Sequence, residues 1–554
     1  MASSGTQGGA RQAAGAKETI TSLTIAFVMA FVFRGFVVEG FLIPTGSMAP
    51  TLLGKHMRFW SPESGESWAV GPWNYRDPEK QFPEPTQRNV RVHDPATGAE
   101  IASPAEPLRV GDRVFVLKYL PYVFEPQRWD VAPFKFPGDA RVNYIKRLVG
   151  LPGEQIAIAD GDIFVRPKAA RAKGDASGVS PWAQQGWTIA RKPERVQRSM
   201  LMKIFDSDDA PLHPDKNYRA WFETPWKGGA PGEPADAGWT IGAERDYRYE
   251  GAGATGLWWD ASARFGDRTW RIVDRYAYNE TGDGMRMEFP VGDVAMSLAI
   301  EPGAGWTDAS SVIGVVETRG HTFRAEVSSG AVVVRMRAGD APEGEWTTLA
   351  SEDLRAHLRP GHTTDVEVWH IDQAISVFIN GERVVEARYD WSPAERVQLA
   401  TSKTLMEIQN PARLGGPSNP LVLSEDYGET GVRWEFSGGP FTLHHVRLSR
   451  DLYYQPGIYS RGPKAGAPAL ATHPLSTLTL TDEQYFALGD NSPASLDGRL
   501  WDTLDPWVRE LDSTYGVVHA SLLIGKAFCV YFPAAHQVGG RALVPDVGRM
   551  RLVW

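Results

Sequence analysis

Cysteine is all but missing from this 554-residue chain: Cys529 has no second cysteine with which to close an intrachain disulfide. It lies in the apolar run Lys-Ala-Phe-Cys-Val-Tyr-Phe over residues 526–532, which reads as a buried strand, so a structural role is expected rather than a reactive thiol. The turns Ser61-Pro-Glu-Ser-Gly and His93-Asp-Pro-Ala-Thr-Gly are placed as the knuckles of a zinc ribbon would be, yet they carry no cysteine. That excludes a ribbon there and leaves a small hairpin module over residues 54–107. The 12 histidines form no H-E-x-x-H or comparable cluster, and His444-His445 sits in a strand-like segment, so neither a metal nor any other cofactor is expected. A net charge of -9 and the lack of a phosphate-cradling glycine loop remove the global reasons to expect nucleic acid or nucleotide as a partner.

What is present fits a folded protein. Hydrophobic content of 42% against 23% charged residues places the chain among globular proteins, and its length calls for two or three domains. Residues 1–17 are small and polar and are expected to form a flexible tail. From Ile20 to Phe33 the chain is mostly apolar, and counting outward to Val38 gives a segment interrupted by Arg34. At ~1.5 Å per residue it approaches the ~30 Å of a bilayer core if Arg34 snorkels. A cleavable signal peptide has the same form, but no small-x-small site follows cleanly. An uncleaved transmembrane anchor over 18–38 is therefore expected, with the tail in the cytoplasm because Arg11 and Lys17 precede the span.

Just beyond the apolar run, residues 41–53 read Phe-Leu-Ile-Pro-Thr-Gly-Ser-Met-Ala-Pro-Thr-Leu-Leu. Pro44 and Pro50 restrict the backbone on either side of Ser47, a rigid way to hold one hydroxyl, although a plain surface turn has the same composition. Three later stretches accompany it: Val-Gly-Asp-Arg-Val-Phe-Val-Leu-Lys-Tyr at 110–119, Arg-Val-Asn-Tyr-Ile-Lys-Arg-Leu-Val-Gly-Leu-Pro-Gly-Glu at 141–154, and Tyr-Phe-Ala-Leu-Gly-Asp-Asn-Ser-Pro-Ala-Ser-Leu-Asp-Gly-Arg-Leu-Trp at 485–501. Short strand-like runs surround them, and Asp160-Gly161 reads as a hairpin turn.

In this order the stretches resemble the boxes of type I signal peptidases, membrane-anchored Ser-Lys proteases that remove secretory signal peptides. The motifs are S-M-x-P-T-L, Y-I-K-R-x-x-G-L-P-G and G-D-N-x-x-x-S-x-D-x-R-x-W. The resemblance implies Ser47 as nucleophile and Lys146 as general base, which requires a neutral, buried lysine whose pKa falls well below ~10.4. It further implies Thr45 and the Ser47 N–H as oxyanion donors, and Ser495 as the residue orienting the lysine. Asp497 with Arg499, and Asp490 with Arg147, are implied as structural ion pairs. Tyr144, Ile145, Leu148 and Val149 are the expected apolar wall around Lys146. Three positions depart from the pattern: Ser492 where arginine is common, Gly498 where serine is, and Asp502 where glycine is, with a further insertion over about 503–513.

Between 168 and 470 the resemblance stops. Alternating runs recur through Val294–Ile300, Val332–Met336, Val366–Val368, Ile375–Ile379 and Phe441–Leu448, with Asn380-Gly381 as a hairpin turn, so a β-sandwich is expected from about 245 to 455. Residues 367–382 resemble, more weakly, the strands of concanavalin-like or laminin-G-like jelly rolls. The fold class is thus mainly β: a signal-peptidase-type catalytic domain (39–167 and 471–554) behind one N-terminal helix, split by an inserted sandwich (jelly roll). The expected substrate is a preprotein whose extended strand pairs near residues 142–145, with Phe36, Phe41 and Leu42 at the rim or in the membrane surface. The expected place is the bacterial inner membrane, catalytic domain outside the cytoplasm and lipid bilayer as a partner. A carbohydrate or protein ligand of the sandwich stays open, with Trp369 and the tryptophans between 182 and 306 as a sugar platform or, alternatively, core. Two other readings stand beside this one: an anchored carbohydrate- or protein-binding module on a degenerate scaffold, and a Ser-Lys protease with a narrow client. Retention of Ser47, Lys146, Ser495 and Asp497 together argues against decay.

Overall fold

A computed structural model describes residues 6–72, 89–104, 107–119, 123–171, 174–211, 223–230, 238–241, 245–266, 268–280, 287–342, 344–354, 358–410, 419–460, 462, 464–538 and 542–554. Residues 1–5 of the expected tail, residues 73–88 of the expected hairpin module and Trp221 lie outside the described residues.

The first helix runs Thr6–Phe36, so helix begins within the stretch expected to be a tail. Alanines between 10 and 16 supply helix propensity that the small, polar composition hides. Its Glu18–Phe36 part, 19 residues long, contains an 18-residue window of mean hydropathy 1.7, none of which is buried. An unburied helix of this length and composition is long and apolar enough to cross a membrane.

Small antiparallel sheets then build the domain that carries the motifs. In one, Val38–Leu42 pairs with Arg113–Leu117, which pairs in turn with Lys526–Phe532 and brings the two ends of the chain together. In another, the long strand Asp139–Gly150 lies between Val131–Phe136 and Gln484–Leu488. In a third, Gln155–Ala159 and Asp162–Arg166 form a hairpin whose turn is Asp160-Gly161, with φ of 48° and 84°. Positive φ at both turn positions is the backbone that the Asp-Gly pair favours. Cys529 occupies the Lys526–Phe532 strand as a half-buried free thiol.

Within residues 54–107, Met57–Trp60 pairs with Ser67–Val70 and Asn89–His93 with Glu100–Pro104. The two knuckle-like turns face each other. Asp94 accepts from Ser64 Oγ at 3.2 Å and from Thr97 Oγ1 at 2.8 Å, so a buried carboxylate ties the turns.

The insertion is a sandwich of two antiparallel sheets of eight and seven strands. It starts earlier than the alternating runs suggest: Met202–Asp206, Trp226–Gly228 and Trp239–Thr240 already belong to its sheets. Strands of two to five residues are too short to display a clear period of two. The inner faces bury Trp226, Trp239, Trp259, Trp270, Trp306 and Trp434 around Val294, Met296, Leu298 and Ile300. Trp182 is buried in a neighbouring cluster, and Trp369 packs on Phe378 beneath the Arg198 guanidinium. These tryptophans are core and present no exposed platform. The Asn380-Gly381 turn closes the Ala374–Ile379 and Glu382–Arg388 hairpin at φ of 51° and 81°.

A buried ionic cluster bolts the sandwich to the split domain. Arg396, from the insertion helix Pro393–Thr401, meets Asp160 at 2.9 Å, Asp162 at 2.5 Å and Asp293 at 2.9 Å. Arg319 meets Asp160 at 2.5 Å and Asp293 at 2.7 Å, and Lys192 meets Asp372 at 2.5 Å and Asp451 at 2.8 Å. Asp162, Asp293, Asp372 and Asp451 bring their carboxylates within 4.8 Å of one another, the spacing of a cation site. Arg396, Arg319 and Lys192 already supply the compensating charge.

Candidate active site

Ser47 sits in a single 3-10 turn, Gly46–Met48, entered through extended Thr45 and left through Ala49. Below it Met48, Leu52 and Ile43 pack with Val114, Val131 and Val530 in one apolar cluster. The turn is thus anchored by its own buried methionine while the serine faces an open cleft.

Lys146 comes from the long strand at the point where burial changes. Arg141, Val142 and Asn143 are exposed, whereas Lys146 through Gly150 are buried. Lys146 Nζ donates to Ser47 Oγ at 2.5 Å, and the Tyr144 ring centroid lies 5.5 Å from the same nitrogen. Burial drives the lysine pKa down to about 8, against the opposing pull of Asp497 and Asp490. Among the described residues no carboxylate makes a salt bridge with it, so burial wins. Of the expected apolar wall, Tyr144 borders the amine and Ile145 packs on the cluster beneath the serine turn. Leu148 and Val149 serve two other clusters, the first around Trp501 and the second around Ile156 and Phe486.

The third box braces this pair from behind. Asp490 and Arg147 form a buried bidentate ion pair at 2.8 and 2.6 Å, and Thr51 Oγ1 adds a bond to Asp490 at 2.6 Å. Asp497 and Arg499 form a second bidentate pair at 2.9 and 2.8 Å. Burial alone would raise the Asp497 carboxyl, but the Arg499 charge and hydrogen bonds hold it below the ordinary value. Asn491, which motif spacing alone did not single out, touches the serine turn directly: its N–H donates to Ser47 O at 3.1 Å and its Nδ2 to Gly46 O at 3.0 Å.

Ser495 departs from expectation. Its Oγ is buried and has no hydrogen-bond partner among the described residues, while the lysine bond goes to Ser47. Thr45 makes no side-chain bond to the turn it enters, and its side chain lines the cleft.

The cleft has a volume of about 710 Å³. Thr45, Ser47, Lys146 and residues 142–145 of the long strand line it, together with Tyr278 and Asn279 of the insertion.

The three departures from the motif pattern have structural counterparts. Ser492 Oγ accepts from Arg499 at 2.8 Å and from the Gln455 N–H, at the exit of the insertion, at 2.8 Å. At Gly498 a Cβ would lie 2.7 Å from both Gly516 O and the Phe486 ring, which leaves no room for serine. Asp502 approaches Gly462, and the following insertion folds as the helix Pro506–Leu511 capped by Asp505.

Comparison with known proteins finds relatives for parts of this chain. Residues 95–193 and 459–532 match the family described as signal peptidase, peptidase S26. Lys146, Arg147, Asp490, Ser495, Asp497 and Arg499 fall inside those segments, and Ser47 falls before them. Signal peptidase I of Rickettsia typhi is 28% identical over 152 residues, covering 27% of this chain and 44% of that protein. Signal peptidase I of Rickettsia canadensis is 29% identical over 147 residues, 26% of this chain and 42% of that protein. The chain thus spans less than half the length of these curated relatives. Among solved structures, the carbohydrate binding module CBM66 from Bacillus subtilis aligns at a TM-score of 0.21 with 10% identity, over 41% of this chain and 96% of that one. The Emp46p carbohydrate recognition domain aligns at 0.26 with 6% identity, over 45% and 97%. The split β domain on either side of the sandwich resembles type I signal peptidases and carries the peptidase S26 match.

Proposed function

We propose that the protein is a membrane-bound serine endopeptidase that removes N-terminal signal peptides from exported preproteins, with Ser47 as nucleophile and Lys146 as general base. The observation that carries this reading is the buried Lys146 amine, with its pKa lowered to about 8, set 2.5 Å from the Ser47 hydroxyl. A neutral amine takes the hydroxyl proton as the serine oxygen attacks the scissile carbonyl. The lysine then returns that proton to the leaving amine, and in the second half-reaction it deprotonates the water that releases the acyl group. The Ser47 N–H and the Thr45 hydroxyl, both at the mouth of the turn, are the proposed donors to the oxyanion.

The exposed edge of the long strand at 141–143, leading into the cleft at 142–145, suits an extended peptide that adds as a strand. Family resemblance and the exposed apolar helix support a single span in the bacterial inner membrane, with the β domains outside the cytoplasm. Ser495 Oγ, close to the backbone that holds Ser47, is proposed to turn toward Lys146 once substrate displaces the lysine bond to Ser47. The test is cleavage of a preprotein bearing an Ala-x-Ala site by detergent-solubilised protein. Wild type is expected to cleave and Ser47→Ala and Lys146→Ala to fail. A wild type inactive on several preproteins, or an active Lys146→Ala, overturns the reading.

A further inference from the structure

The insertion does not stay outside the site. Its short turn Ala277–Asn279 follows the core residues Ile272 and Val273 of the insertion and runs straight to the serine loop. Tyr276 Oη donates to Asp490 O at 2.9 Å, and the Arg450 guanidinium covers its ring at 4.8 Å. Tyr278 Oη donates to Lys55 O at 2.8 Å, and Tyr278 O accepts from the Gly71 N–H at 2.7 Å. Asn279 and Asn491 exchange a reciprocal amide pair at 2.7 and 2.9 Å, and Asn491 is the residue that holds Gly46 O and Ser47 O. One turn therefore touches the serine loop, the third motif box and the hairpin module at once.

The contact is tightest at Gly46. A Cβ there would lie 2.1 Å from Tyr278 Cε1 and 2.6 Å from its Cζ, so the ring fills the space that any side chain next to the nucleophile would take. The same ring lines the cleft with Ser47 and Lys146. A ring held at its hydroxyl by Lys55 and at its backbone by Gly71 cannot swing out cheaply.

We propose that the substrate cleft is composite: Tyr278 of the insertion is a specificity-determining wall that limits the residues flanking the scissile bond to small side chains, and Asn279 is a positioning residue that acts on Ser47 through Asn491. This rests on the peptidase reading for its substrate and adds to it what the insertion does. Rigid walls discriminate by exclusion, so removing the ring should enlarge what is accepted more than it changes the chemistry. Losing the Asn279 amide should instead misalign the nucleophile and lower kcat, with KM little altered.

The experiment uses the full-length protein in detergent and a peptide series in which the alanines of an Ala-x-Ala site are replaced by Val, Leu or Phe. Tyr278→Ala is expected to raise kcat/KM for the Val and Leu peptides relative to alanine by about tenfold, the scale of one or two methylenes in a pocket. Tyr278→Phe, which keeps the ring, should keep the wild-type preference. Asn279→Ala is expected to lower kcat about tenfold on every peptide, since both bonds of the amide pair that steadies Asn491 are lost. An unchanged preference in Tyr278→Ala overturns the wall.

A second measurement needs no activity. Gly46→Ala should lower the melting temperature in the wild-type background and be rescued when combined with Tyr278→Ala. Additive losses, or a double variant that still does not fold, overturn the contact. Rescue in a chain that cleaves nothing would sink the peptidase reading while leaving the insertion docked on the serine loop.

Discussion

Lys146 and Lys192 are both buried, at 3% and 7% exposure, yet their surroundings push them in opposite directions. Burial lowers Lys146 to about 8, because the carboxylates of Asp497 and Asp490 act on it only from a distance and are themselves engaged by arginines. Lys192 pays the same burial cost, but direct contact with Asp372 and Asp451 overrides it and raises its pKa well above the ordinary value. One lysine is placed to lose its proton and the other to keep it. The difference lies in whether an acidic group is in contact, since a partner in a low-dielectric interior outweighs desolvation while a remote one does not.

That contrast can be tested by removing each amine. Lys146→Met should lower kcat by about 10²–10⁴-fold, the usual contribution of a positioned general base, read from the rate of preprotein cleavage. Lys192→Met should leave cleavage chemistry untouched at the site but destabilise the fold by about 3–5 kcal/mol, because two buried carboxylates lose their partner. Urea titration of the full chain would show it. An unchanged midpoint would mean that Arg319 and Arg396 suffice for the cluster.

A smaller effect should follow from giving one lysine the other's environment. Ala132 pairs with Lys146 across the neighbouring strand, so Ala132→Asp would set a carboxylate beside the amine. The midpoint of the activity profile, expected near pH 8 in the wild type with activity rising as Lys146 loses its proton, should move up by about 1–3 units. If it stays near pH 8, the activity is not reporting the lysine.

The stability profile carries the opposite signs. Lys146 is depressed in the folded state, so between about 8 and the unfolded value near ~10.4 the unfolded chain binds more protons and stability rises with pH. Lys192 is raised, so its contribution is complete below ~10.4 and is lost as pH climbs toward its folded value. The smallest effect belongs to Lys146→Met as a stability change. No ion pair is broken, and because the depressed amine costs the fold free energy below about pH 8, the variant is expected to be as stable as the wild type or somewhat more so in the same urea titration.

Much of the site could be read in the chain itself. The Asp490–Arg147 and Asp497–Arg499 pairs stand where the motifs imply, and the Asp160-Gly161 and Asn380-Gly381 turns close the hairpins that their chemistry demands. Each depends on residues adjacent in sequence or on a motif long enough to identify itself. Ser495 was legible as a position but not as a contact, since a hydroxyl's partner depends on sub-ångström placement of three segments. The early strands of the sandwich were hidden because two or three residues show no period.

By itself the sequence singled out Ser47 and Lys146 as candidates, and it determined an apolar N-terminal segment and a mainly β chain interrupted by a long insertion. Only the tertiary structure decided that Tyr278 stands against Gly46 and Asn279 against Asn491, and that Lys192 has carboxylates in contact while Lys146 does not. Asn279 meets Asn491 from 212 residues away, and Tyr278 meets Lys55 from 223. Contacts at that separation carry no local propensity or periodicity. They exist because the buried cluster of Arg319, Arg396 and Lys192 fixes where the sandwich sits, and so where the Ala277–Asn279 turn can reach.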